Sequence, residues 1–287
     1  MIYGSTNEWN NAKNKKVLLF GMSGLGKTYL SNLLRTEGDW FHYSIDYRIG
    51  TRYMGDHIVD NVKSEAMKTP FLANLLKSDS IYIRSNITFD NLAPLSTYLG
   101  QPGGQTKGGL TFKEYQNRQN QHRKAEKSAL LDTSEFINKS QSLYGYSNFV
   151  CDSSGSICEV VDGKDPNDPI LEKLSKNLLM VWIKGDKNHS KNLIDRFKKN
   201  PKPMYYNLNL LEDSWKSFKD LYSLNDEDVE PREFAIYAFE KAINARQPKY
   251  EAISQNWGVS VAASEVSNIR TCSDFNSIIA RALANKD

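Results

Sequence analysis

The apolar positions of this chain gather into five short runs. They are Val17–Phe20, Trp40–Ile45, the end of "YSNFVCD" at 146–152, "NLLMVWIKGD" at 177–186, and "GVSVAAS" at 258–264. Each is bounded by Gly, Asn, Asp or Ser and is too short for an ordinary helix, so each predicts a strand. The fourth is almost continuously apolar, as a strand buried on both faces must be. Between the runs, apolar residues recur at helical spacing: Tyr29, Leu30, Leu33 and Leu34 after the first, then most of 48–76, a long polar helix or helix pair over 111–140, and segments at 167–176, 189–199, 231–245 and 273–284. Trp215, Phe218 and Tyr222 share a helical face that suits a core or a docking surface. Strands alternating with helices predict an α/β fold, a five-stranded parallel sheet with helices on both faces.

Three stretches resist this reading. Residues 1–14 are polar and are expected to be loose. "SIYIRSNITFDNLAPL" (80–95) is open between a short strand and a helix–loop unit. "YLGQPGGQTKGGLTF" (98–112) is glycine-rich and too long for a simple connection, so a functional or mobile loop is expected.

Composition narrows the class without naming it. The chain has 287 residues, 39% apolar and 25% charged, which suits a folded domain and excludes disorder. A net charge of +3 gives no reason to expect nucleic acid. No run is long enough to span a membrane, so no membrane partner is expected. Cys151, Cys158 and Cys272 are odd in number and form no CxxC pair, and no apolar leader precedes them. The expectation is a reduced, cytoplasmic protein.

The chemistry enters between the first strand and the first long helix. "GMSGLGKT" has Gly21, four residues, then Gly26-Lys27-Thr28, the spacing G-x-x-x-x-G-K-[ST] of a phosphate-binding P-loop. Gly21, Gly24 and Gly26 permit positive φ and close approach of the backbone to a ligand. The cradle comprises Gly21, Ser23, Gly24, Leu25, Gly26, Lys27, Thr28 and Tyr29, with the helix N-terminus aimed at a bound phosphate. Lys27, expected to point into ligand space, would reach the β- and γ-phosphates of a nucleoside triphosphate, and Thr28 would ligate Mg²⁺. Asp152, ending the third strand, is the candidate second metal ligand, direct or through water, against the ordinary role of a turn cap. No N/T-K-x-D guanine-reading motif follows an apolar strand, which favours ATP.

These residues, with three further segments, resemble the shikimate kinase, gluconate kinase and adenylate kinase group of small P-loop kinases. "SIDYRIGTRYMGDHI" is similar to the shikimate kinase D-x-D-x-x-I-E segment. Asp46 falls on the second Asp, which implies an acceptor-binding role, and Ser44 replaces the first. "RFKKNPKPMYY" is similar to the lid segment. Arg196 falls on its arginine, while Lys202-Pro203 replaces Arg-Pro. "ARQPKYEAIS" is similar to the R-x-P-x-Y region before the last strand, which places Arg246 at the nucleotide and Tyr250 beside it. "SSG" stands where the family has a triple glycine, and the substrate arginine of the F-R motif has no counterpart. The chain also looks like bacterial P-loop proteins known only as ATPases.

The resemblance implies one P-loop NTPase three-layer sandwich over 1–287, a helical insertion at about 65–145 and a lid-like segment at about 186–207. Lys27, Asp46, Asp152 and Arg196 would act in phosphoryl transfer from Mg²⁺·ATP to a small anionic or hydroxyl-bearing acceptor. The helix face of Tyr115, Arg118 and His122, with Gln119, Arg123 and Glu126 beside it, is either an anion-binding face or a surface helix with ordinary ion pairs. The other class is a regulatory ATPase or nucleotide-dependent binding module, its insertion serving a protein partner.

Overall fold

The computed structural model describes residues 1–286, with every side chain among them except that of Lys187. The chain runs α1 (Thr6–Asn11), β1 (Lys16–Phe20), α2 (Lys27–Glu37), β2 (Trp40–Ser44), α3 (Ile45–Arg48), a π-helical turn, α4 (Gly55–Ala66), α5 (Pro70–Lys77), α6 (Ala93–Leu99), α7 (Phe112–Leu131) and α8 (Thr133–Ser142). It continues through β3 (Asn148–Asp152), α9 (Ile157–Val160), α10 (Pro169–Asn177), β4 (Leu179–Lys184), α11 (Lys187–Lys199), α12 (Leu208–Tyr222), α13 (Pro231–Trp257), β5 (Gly258–Ala262), α14 (Ala263–Val266) and α15 (Cys272–Ala284). Two compact units result: 1–45, 126–200 and 236–287 in the first, 46–125 and 201–235 in the second. Of the stretch 65–145, residues up to 125 fall in the second unit and the remainder in the first.

The first unit is built on one five-stranded sheet in the order β2-β3-β1-β4-β5, every pair parallel. All five predicted strands form. Val17, Leu18, Leu19 and Phe20 of central β1 are wholly buried, as an all-parallel sheet requires. Helices α2 and α15 pack on the sheet and on each other, as do α8 and α10, an arrangement compatible with a three-layer sandwich. β1 leads on to β2 on one side and β4 leads on to β5 on the other, yet β1 and β4 are neighbours. Connections leaving two adjacent strands in opposite directions open a crevice at their carboxyl ends, where open α/β sheets bind ligands.

Two expectations for this unit are corrected. Residues 1–14 are not loose: Ser5 caps α1 by accepting from Glu8 N, and the Trp9 ring is wholly buried, edge-on to Tyr3 and Phe275. Its indole N–H donates to Asn276 O at 3.2 Å, so α15 anchors the N-terminus. Helix α13 does not stop at 245; it continues through Pro248 to Trp257. A proline inside a helix forfeits one backbone bond, a cost of about 3 kcal/mol. Complete burial of Tyr250 and Ile253 beyond it offsets that cost.

In the second unit, 80–95 turns out to be an irregular stretch leading into α6. The glycine-rich loop is structural: Gly103 N donates to Leu110 O, Gly104 N donates to Val229 O, and a Cβ on Gly104 would collide with Glu227 O. Phe112 stacks on Trp215, which meets Phe234 edge-on, so the Trp215–Phe218 face is core.

Cys151 and Cys158 are buried, and burial pushes the Cys151 thiol well up and the Cys158 thiol up to about 12. Cys272 is partly exposed, its thiol raised more modestly by burial. A raised pKa removes thiolate, the reacting form, at neutral pH. Titration of the native protein with an aromatic disulfide at pH 8 should therefore report slow reaction of one thiol, and of all three after denaturation. Fast reaction of two or more native thiols would contradict the burial.

Candidate functional site

β1 ends at Phe20, and the next six residues form the turn that delivers the chain into α2. Gly21, Gly24 and Gly26 all have positive φ, as the motif spacing led us to expect. Two of them are dictated by surroundings. A Cβ on Gly21 would sit 2.6 Å from Ile183 O of β4, so only glycine lets the turn cross that strand. Gly26 is the left-handed N-cap of α2 and supplies no side chain, leaving the first N–H groups of the helix facing the turn. Leu25 is buried near Gly185 and pins the turn to the end of β4, while Ser23, Thr28 and Tyr29 are exposed.

Lys27 does not point into open ligand space. It is buried, and its Nζ donates to the carbonyls of Gly21 and Met22, each at 2.9 Å. The ammonium thus bridges the start of its own turn.

The Thr28 hydroxyl donates to Asp152 Oδ2 at 2.6 Å. The sheet register makes this possible: Asp152 lies opposite Leu19 of β1 on one side and Ser44 of β2 on the other. His42 Nε2, from buried β2, lies 3.8 Å from the same carboxylate oxygen. A hard hydroxyl and a hard carboxylate oxygen at a helix N-terminus suit Mg²⁺, which takes one or two protein oxygens and fills its octahedron with water and phosphate. Among the described residues, no group of three or more His, Cys, Asp or Glu side chains is assembled to hold a metal unaided. Any metal bound at Thr28 and Asp152 would have to complete its shell from water or a ligand.

Two further elements close around the turn. α11 is capped by Asp186, whose side chain accepts from His189 N at 2.7 Å. His189 and Arg196, two helical turns apart, both face the glycine turn. His189 Nε2 lies 3.1 Å from Ser23 O, and a Cβ on Gly24 would meet Arg196 Nη2 at 3.3 Å. The 153–156 turn approaches from the other side, with Gly155 near Ser23 Oγ. Ser154 and Ser156 both donate to buried Glu126. Gly155 O accepts from the Tyr250 hydroxyl and from Arg246 Nη1 at 3.3 Å. Arg246 Nε and Lys249 Nζ hold the two oxygens of buried Glu159, at 3.0 and 2.7 Å. Beside this site, a cleft of about 500 Å³ opens at the carboxyl ends of β4 and β5, lined by Asp186, His189, Asn192 and Ser264 among others.

The structure thus brings Gly21, Ser23, Gly24, Leu25, Gly26, Lys27, Thr28, Tyr29, Asp152 and Arg196 together in one place. Arg246 bonds to Glu159 and to Gly155 O of the neighbouring turn. Asp46, in the first turn of α3, belongs to the other unit and is half-buried. The α7 face is neither solvated nor open to an anion. Tyr115, Gln119, His122 and Glu126 are buried, while Arg118 is held by Glu114 at 2.7 Å and by Asn61 at 3.0 Å. Only Arg123 of that set is exposed. His189 and Glu159 were missed, and Glu126 was read only as part of the α7 face, because the partners of all three lie far away in sequence. No family model, curated protein or solved structure matches the chain. No helix among the described residues is long and apolar enough to cross a membrane.

Removing Arg246 would take from buried Glu159 the more deeply buried of the two cations that hold it. Arg246→Ala should destabilise the protein by about 3 kcal/mol, the usual cost of breaking a buried pair. Urea denaturation measures this, and the loss should shrink when Glu159→Gln is already present. A neutral Arg246→Ala would show that the pair holds nothing in place.

Proposed function

We propose that the chain binds Mg²⁺·ATP at the glycine turn, as a P-loop, and transfers the γ-phosphoryl group to a small anionic or hydroxyl-bearing acceptor. The observation that supports it most is the contact of Thr28 with Asp152 beside a buried lysine and an uncapped helix N-terminus. A turn needing only to connect β1 to α2 has no use for all three.

In this reading the α2 N–H groups and the Lys27 ammonium take the phosphate charge, Lys27 exchanging its carbonyl partners for phosphate oxygens. Thr28 and Asp152 would hold Mg²⁺, which would neutralise phosphate charge when bound. Arg196 lies over Gly24, and would there offset the charge that spreads over the γ-phosphoryl oxygens in transfer. The cleft beside His189 gives the nucleoside its space. The P–O bond to the ADP leaving group breaks as the acceptor oxygen bonds to phosphorus, and the hydroxyl proton passes to a carboxylate base. On the resemblance that base is Asp46. Buried thiols suit a cytoplasmic setting.

A second reading, a regulatory ATPase that docks a protein, draws on Phe71 and Tyr82, which are 70% and 81% exposed on the second unit. One experiment separates the two. Basal and acceptor-stimulated ATP hydrolysis is measured against a metabolite panel for the parent, Asp152→Asn and Asp46→Asn. The kinase reading expects stimulation by some acceptor, loss of both rates in Asp152→Asn, and a fall of roughly 10²-fold in stimulated turnover alone in Asp46→Asn. Slow hydrolysis that no metabolite stimulates and Asp46→Asn leaves unchanged would favour the regulatory reading.

A further inference from the structure

The second unit contains a groove that the nucleotide reading does not use. It runs between α4, α6 and the irregular stretch 83–86, with a volume of about 380 Å³, in the range of small organic ligands. Its walls are apolar: Ile58, Val59 and Val62 from α4, Ala93, Pro94 and Tyr98 from α6. Asn91 fixes the rim. Its amide donates to Asn86 O at 3.1 Å, and its oxygen accepts from Ala93 N at 3.2 Å, tying the irregular stretch to the start of α6.

The formal charge of the lining is of one sign, carried by Arg84. No residue lining the groove is an aspartate or glutamate. Asn61 accepts from Arg118 at 3.0 Å, so its amide oxygen is taken and its NH₂ remains to be offered. Arg84 lies over the Tyr82 ring at 6.0 Å, and among the described residues it has no carboxylate partner. The backbone N–H groups of Ile83, Arg84 and Ser85 make no hydrogen bond among the described residues. The groove therefore presents a guanidinium, an amide NH₂ and main-chain donors above apolar walls. A ligand combining an anionic group with an apolar body is complementary to both.

We propose that this groove binds a small organic anion, a carboxylate carried on an aromatic or branched aliphatic body, with Arg84 meeting the anion and α4 and α6 enclosing the body. The inference does not rest on the nucleotide reading, and no nucleotide enters its test. Calorimetric titration of the full chain with 2-naphthoate serves as the probe, with 2-naphthylmethanol as its neutral counterpart. Naphthoate should bind saturably at one site, more tightly than the alcohol. Arg84→Gln, at an exposed position, should weaken naphthoate about tenfold, the worth of a charge-assisted contact, and leave the alcohol unchanged. Thr97→Trp, also exposed and lining the groove, should abolish both. Circular dichroism melting checks that each variant is folded. Absence of saturable naphthoate binding at millimolar concentration, equal affinity in the parent and Arg84→Gln, or binding that survives Thr97→Trp would each overturn the proposal.

Discussion

The hydrogen bond from Thr28 to Asp152 joins the first turn of α2 to the end of β3, and the arrangement of the candidate site follows from it. A carboxylate as buried as Asp152 must be hydrogen-bonded, since leaving it bare costs several kcal/mol. The bond can form only if β3 lies directly beside β1 in parallel register and if α2 begins immediately after the glycine turn. The first condition is met by the pairing of Leu19 with Asp152. The second is met by Gly26 in the left-handed region, which starts the helix without a side-chain cap. Shift the register by one residue and the strand turns its side chains to the opposite face.

Around that bond the supports are over-determined. The 153–156 turn is held from one direction by Glu126 and from the other by Tyr250, Arg246 and, through Glu159, Lys249. The glycine turn is pinned by Leu25 beneath and by His189 and Arg196 of α11. A phosphate-binding cradle stabilises transferred charge only if its dipoles are in place beforehand, so rigid second supports are what such a site needs. The same supports locate Arg246: a side chain bound to a buried carboxylate shapes the neighbouring turn, a different task from the nucleotide contact that the kinase resemblance implies.

Sequence legibility followed the range of the interactions. The turn from Gly21 to Thr28 and the five strands were readable because their determinants are local: glycine spacing, short apolar runs and bounding polar residues. Asp152 was readable as a strand end. What failed depends on distant partners. Trp9 sits in a polar segment whose anchor is Asn276, and no local pattern announces it. Pro248 marks a helix end by ordinary rules, but burial of Tyr250 and Ile253 carries α13 past it. The α7 face was misread because its buried stripe is polar. Gln119 donates to Met204 O and accepts from Tyr206 N, so an amide fills a core position that hydrophobic periodicity cannot register. The glycines at 103 and 104 suggested a functional or mobile loop, yet they are small because Pro231 and Glu227 pack against them.

The central claim is that the turn from Gly21 to Thr28 receives a magnesium-bound nucleoside triphosphate. Its most direct test is calorimetric titration of the full chain with a non-hydrolysable ATP analogue, with and without Mg²⁺, for the parent and for Lys27→Ala. The account predicts one saturable site in the parent, weaker binding when Mg²⁺ is withheld, and at least a tenfold loss of affinity in a folded Lys27→Ala variant, as expected when a buried charge contact to phosphate is removed. Equal affinity of the parent and Lys27→Ala, or no binding by the parent at millimolar nucleotide, would contradict it.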